Sequence, residues 1–120
     1  MSDYIYRVVS LEDWEQAQKL GRVPRCGADD RDGFVHLSTE TTMLETANLY
    51  FETSESPLAL EIDPKILGDD LKWEAVESRG GQAFPHLYAE GIPLPAVRAA
   101  IVLDHSQESG FTCGQKKELT

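Results

Sequence analysis

Residues 4–9 form a nearly continuous apolar run rich in aromatic and β-branched residues, which predicts a strand with Tyr4, Tyr6 and Val8 on one face and Ile5, Arg7 and Val9 on the other. On that parity Arg7 points among apolar neighbours. The period then changes. Leu11, Trp14, Ala17 and Leu20 recur on one helical face, Ser10 with Asp13 three residues on resembles a capping box, and Gly21 ends the turn. Residues 22–32 carry Pro24, Gly27 and the run Asp29-Asp30-Arg31-Asp32 without periodicity, which predicts a loop bordering a site. A short strand over 33–37 follows, with Ser38 or Thr39 capping a helix whose apolar face is Met43, Leu44, Ala47, Tyr50 and Phe51.

The second half reads mostly as strands. Pro57 opens one over 58–62, closed by Asp63-Pro64. Another runs over 71–76, with Trp73 facing the core beside Leu71 and Ala75. Gly80-Gly81 marks a turn, residues 84–88 are extended but contain Pro85 and so suit a sheet edge, and 98–103 form a last strand. From Asp104 the chain reads as a loose polar tail. With two main helices early and strands late, the expected class is α+β, a single small domain over 1–120 with its core at about 4–103 and a largely antiparallel or mixed sheet.

Composition narrows the function classes. At 120 residues there is room for one modest core, and 41% apolar with 27% charged residues is ordinary for a globular chain. Eleven basic against twenty-one acidic residues give a net charge of −10, a repulsive field for a polyanion, so nucleic acid is excluded as a partner. No basic region followed by an apolar run opens the chain, and no stretch approaches the roughly 20 apolar residues of a membrane span; the expected location is the cytoplasm. Cys26 and Cys113 form no CxxC motif and are expected to be reduced thiols.

Chemistry concentrates in two short segments, Phe34-Val35-His36-Leu37-Ser38 and Phe84-Pro85-His86-Leu87-Tyr88. Strand parity puts Phe34, His36 and Ser38 on one face, and Phe84, His86 and Tyr88 on one face. Were the segments neighbours, His36, Ser38, His86 and Tyr88 would line one pocket walled by Phe34 and Phe84, a mix suited to a small ligand. The competing reading makes each histidine a core residue satisfied by a backbone carbonyl. No HxxxH, CxxC or HxE-with-CxxC spacing supports a metal, Ser38 lacks a GxSxG elbow, and no GxGxxG or GxxxxGK[ST] loop occurs. Trp73-Glu74 could stack on and polarise a ligand, or stand as a core tryptophan beside a solvated glutamate.

The order Tyr4-Ile5-Tyr6-Arg7, Trp14 with Ala17 and Gly21, residues 33–39, Thr46-Ala47-Asn48 with Tyr50-Phe51, Leu60-Glu61-Ile62-Asp63, Leu71-Lys72-Trp73-Glu74 and residues 84–88 resembles the bacterial family known as domain of unknown function 952. That family is in turn similar to the ADP-ribosyltransferase fold, in which a split, curved pair of small sheets holds NAD in a cleft. The resemblance implies that Arg7 contacts the dinucleotide, and that Ser38 and Thr39, followed by Ala47 and Phe51, support the ribose and nicotinamide. No QxE or ExE motif supplies the usual catalytic glutamate; the late segment offers His86 and Tyr88, with Glu90 just beyond.

What the resemblance implies is therefore an NAD-using transferase or glycohydrolase-like enzyme with His36, Ser38 and His86 as catalytic candidates, or a noncatalytic nucleotide-binding or protein-interaction domain on the same fold. Cleaving a nicotinamide–ribose bond builds positive charge at the sugar, which asks for an aromatic wall and an anion or oriented dipoles facing the ribose. Tyr6, Phe34 or Tyr88 could form the wall, His36 or His86 could hold a ribose hydroxyl, and Arg7 could meet the pyrophosphate with Lys72 in reserve.

Overall fold

The computed structural model describes residues 4–119. Strand β1 (Ile5–Val9) is buried on both faces and pairs antiparallel with β4 (Leu58–Ile62), which pairs with β8 (Val97–Ser106) and that in turn with β9 (Gly110–Glu118), giving the order β1-β4-β8-β9. A second, three-stranded sheet has β6 (Gln82–Leu87) between β3 (Val35–His36) and β5 (Leu71–Val76). A small ribbon joins β2 (Arg22–Pro24) to β7 (Gly91–Pro93). Every ladder is antiparallel, and the class is α+β.

Helix α1 (Leu11–Leu20) forms as its pattern predicts. The Ser10 side chain accepts from the Asp13 N–H, and Gly21 at φ 91° closes the helix by bonding the Ala17 carbonyl. Its buried residues, Trp14 and Ala17, join Ile5, Val9, Leu60, Val35 and Leu87 in one core between the two larger sheets. Across β1, Tyr6 and Val8 pack with Met43 and Ala47 of α3 (Met43–Tyr50) and with Ile101 and Phe111, forming a second core on the opposite face. A short helix α4 (Pro64–Leu67) follows β4, with the Asp63 side chain accepting from the Lys65 N–H.

Among the described residues one isolated backbone bridge joins the two larger sheets. Tyr6 and Ser38 exchange backbone hydrogen bonds of 2.8 and 2.7 Å, stitching the edge of β1 to the end of β3. Residues of both sheets, Arg7 to Val9 on one and His36, Phe84 and His86 on the other, line a cleft.

Several expectations are corrected. Residues 22–32 are not a plain loop but β2 and a single turn-and-a-half of helix, α2 (Gly27–Asp32), because the Asp29 carboxylate satisfies the Cys26 N–H at the helix start and Gly33 at φ 85° ends it on the Asp29 carbonyl. Helix α3 is entered through Thr42, not Ser38 or Thr39; Thr39 sits in the preceding turn, its N–H and hydroxyl bonded to the Thr42 hydroxyl. Tyr50, read as part of the helix's apolar face, is exposed.

Trp73 is 54% exposed, because β5 lies at the sheet edge beyond the reach of the core that covers Leu71. Pro85 lies on the central strand β6. Its carbonyl accepts from the Leu37 N–H, so the side on which it lacks a donor faces β3, whose ladder stops at His36. The segment from Asp104 is no loose tail: β8 continues to Ser106 and β9 returns alongside it. The Phe111 ring is buried against α3, and its N–H donates to Asn48 Oδ1 at 2.9 Å. The polar residues that suggested a tail are the exposed sides of a hairpin.

Candidate functional site

Arg7, on the central core face of β1, needs a buried partner, and Asp29 of α2 supplies it. Nη2 of Arg7 lies 2.6 Å from Asp29 Oδ2 and Nη1 lies 3.3 Å from Oδ1, while Nη1 also donates to the His36 carbonyl at 2.7 Å. Asp29 is fully buried and accepts as well from the N–H groups of Cys26 and His36. Burial alone would raise its pKa, but the hydrogen bond from His36, the Arg7 charge and the Cys26 N–H together hold it well below the usual carboxylate range. Arg7 Nε is the one sealed side-chain donor or acceptor without a partner among the described residues.

His36 stands between two carboxylates. Nδ1 is 2.7 Å from Asp29 Oδ1 and Nε2 is 2.8 Å from Asp32 Oδ2. Ionised carboxylates only accept, so both contacts are hydrogen bonds only when both ring nitrogens carry protons. The bond to Asp29 drives the His36 pKa upward, opposed by partial burial and reinforced by Asp32, so both carboxylates favour the imidazolium form. Among the described residues no three His, Cys, Asp or Glu side chains converge as metal ligands would.

His86 faces His36 directly across the β3–β6 ladder. The adjacency that sequence parity left open is therefore present: the ring centroids are 5.8 Å apart, and Phe34 stacks on His86 at 4.0 Å while lying 4.7 Å from His36 and 5.3 Å from Tyr88. Nδ1 of His86 is 2.9 Å from Glu74 Oε1, which also accepts from the Tyr88 hydroxyl at 2.5 Å. The bonds from Tyr88 and then His86 lower the Glu74 pKa, so Glu74 is an acceptor and His86 Nδ1 the donor. In its neutral form His86 then carries its lone pair on Nε2, which has no protein partner among the described residues.

A cleft of about 390 Å³ runs past these groups, lined among others by Arg7, Asp29, Asp32, His36, Phe84 and His86. At its far end Arg79 lies over the Phe84 ring at 4.6 Å and pairs with Glu45 at 2.5 Å. The remaining sequence candidates divide. Lys72 is exposed and sits opposite His86 in register, close enough to Glu74 to lower its pKa slightly. Tyr6 is in the second core with its hydroxyl on Glu61 at 3.0 Å, and Ser38 bonds Thr46 at 3.0 Å, so neither hydroxyl is joined to the histidines.

Sequence reasoning missed Asp29 and Asp32. The available signal was Arg7 itself: an arginine on a two-sided buried strand demands a carboxylate, and the acidic run just before Gly33 is where the chain can supply one.

Residues 8–100 match the family described as protein of unknown function, DUF952. The chain belongs to this family. Its fold is shared with protein CC0527 of Caulobacter crescentus. The CC0527 crystal structure is 35% identical, with 91% of this chain and 93% of that chain covered at a TM-score of 0.81. A double-mutant crystal structure of the same protein gives 34% identity, the same coverage and a TM-score of 0.80. Its solution NMR structure gives 35% identity, 92% and 91% coverage and a TM-score of 0.76. No curated protein matches the chain.

Proposed function

We propose that the DUF952 cleft binds a nucleotide-like small molecule, NAD being the ligand to test, and that His86 acts on it as acid–base catalyst. The observation that carries this reading is the orientation of His86: Glu74 holds Nδ1, Phe34 supports the ring, and Nε2 has no partner among the described residues at a cleft of small-molecule size. NAD is suggested by analogy alone, from the resemblance of the sequence motifs to the ADP-ribosyltransferase pattern.

In that chemistry the nicotinamide–ribose bond breaks, its electron pair leaves with the ring, and a water oxygen adds to the sugar carbon while its proton passes to His86 Nε2. Glu74 behind the imidazole stabilises the imidazolium that forms, and His36 with Arg7 keeps the opposite strand in place. Ser38 takes no part in this scheme, because its hydroxyl is bonded to Thr46.

A noncatalytic binding domain is the second reading. It is favoured by the commitment of two cleft carboxylates, Asp29 and Asp32, to His36, which leaves neither to face an oxocarbenium-like ribose. One assay separates the two. The protein and its His86→Gln variant are incubated with NAD, with bound NAD and free nicotinamide both measured. Release that falls about 10²- to 10⁴-fold in the variant supports the enzyme; binding without release supports the binding domain; neither binding nor release contradicts both.

A further inference from the structure

The two carboxylates that grip His36 are not equivalent. Asp29 is sealed and has Arg7, Cys26 and both the backbone and ring of His36 as partners. Asp32 is about one-third exposed at the last position of α2, immediately before Gly33, and its partners are His36 Nε2 at 2.8 Å and its neighbour Arg31, whose Nε lies 3.1 Å from Oδ1 and whose Nη2 lies 3.4 Å from Oδ2. One carboxylate is thus held by an imidazolium and by two nitrogens of a guanidinium, an arrangement that equally suits a phosphate oxygen pair.

The other cleft arginines are spent. Arg7 is buried against Asp29 and the His36 carbonyl, which removes it from the pyrophosphate role implied by sequence, and Arg79 is engaged by Glu45 and the Phe84 ring. Arg31 is 74% exposed and lines the cleft, and the His36 side chain is 37% exposed beside it. In a chain of net charge −10, an anionic ligand needs such a local pair of cations.

We infer that His36 Nε2 and the Arg31 guanidinium form a subsite for a phosphate or pyrophosphate group, and that the Asp32 carboxylate is an internal stand-in for that group which must swing away for the ligand to enter. The inference rests on the nucleotide reading of the cleft and places its phosphates. Asp29 keeps His36 anchored when Asp32 leaves, and the incoming phosphate takes over the bond to Nε2, so the subsite survives the exchange. The stand-in acts as a tax on affinity: if it covers the subsite about nine-tenths of the time, it weakens phosphate binding about tenfold.

Calorimetric titration with ADP and with adenosine tests this on the wild-type protein, on Asp32→Asn, which preserves the side-chain shape and removes the competing charge, and on Asp32→Asn combined with Arg31→Gln. ADP should bind Asp32→Asn about tenfold tighter than wild type, adenosine should bind both alike, and adding Arg31→Gln should cancel the gain. Adenosine binding with ADP affinity unchanged or weakened in Asp32→Asn would overturn the subsite while leaving the cleft reading intact. Failure of both ligands to bind any of the three proteins would overturn the cleft reading and the subsite with it.

Discussion

His36 and His86 are direct cross-strand partners with different hydrogen-bonding environments: His36 gives both ring nitrogens to carboxylates, whereas His86 gives Nδ1 to Glu74 and its Nε2 has no partner among the described residues. Two like side chains thus differ in hydrogen-bonding capacity because of their neighbours, one engaged through both ring nitrogens and the other through Nδ1.

Asp29 is the residue on which the site's frame depends. Asp29→Ala leaves Arg7 buried without its counter-charge and the Cys26 and His36 N–H groups without an acceptor. The expected loss is about 3–5 kcal/mol, typical of breaking a buried pair from one side, read by urea unfolding with tryptophan fluorescence. A loss under about 1 kcal/mol, the range of an exposed pair, would show that the pair is dispensable.

The same cluster sets a pH window. Asp29 is depressed in the folded state, so its contribution is present above the unfolded-state value of about 3.9 and is lost as pH falls through the lower folded value. His36 is raised, so its contribution is complete below about pH 6.5 and is lost as pH rises through the higher folded value. The cluster therefore stabilises the fold most between about pH 4 and 6.5. In urea midpoints measured across pH, His36→Gln should flatten the alkaline limb and shrink the acid limb without abolishing it, because Arg7 and the Cys26 N–H still hold Asp29 down.

Glu74 fixes the tautomer of His86 and also raises the Tyr88 pKa, first through their hydrogen bond. In Glu74→Gln the Tyr88 phenol should titrate at lower pH than in the wild type, as followed by ultraviolet difference spectra, and the His86 ring should lose its single tautomer in NMR. An unchanged tyrosine titration would mean that the Glu74–Tyr88 bond does not persist in solution.

Phe111 should behave as a core residue. Phe111→Ala is expected to cost about 3–5 kcal/mol, as for other buried aromatic truncations, and deleting residues 107–120 should expose Met43, Ala47 and Ile101 and prevent stable folding. Native-like thermal unfolding of the truncated chain would contradict the assignment of β9 to the fold.

The sequence was most legible where local signals agreed. Ser10, Trp14, Ala17 and Gly21 define α1 without help from the rest of the chain, and parity placed His36 and His86 on cleft-side faces of their strands. It was least legible where tertiary pairing overrides local pattern. Residues 110–118 look polar because β9 buries little besides Phe111, and Pro85 looks like an edge marker because β3 is only two residues long. Trp73 shows the converse: its parity with Leu71 is correct, but the core ends before reaching it. Asp29 was hidden in an acidic run because its meaning lies in Arg7, 22 residues earlier.

The most direct test of the central claim is an NMR titration of the protein labelled in its histidine ring nitrogens with NAD, repeated on His86→Gln. The account predicts that the His86 Nε2 resonance moves and saturates while Nδ1, held by Glu74, moves little, and that the variant binds NAD more weakly. Ring nitrogens unmoved at millimolar NAD would contradict it, and would leave His86 as a packing residue stacked on Phe34.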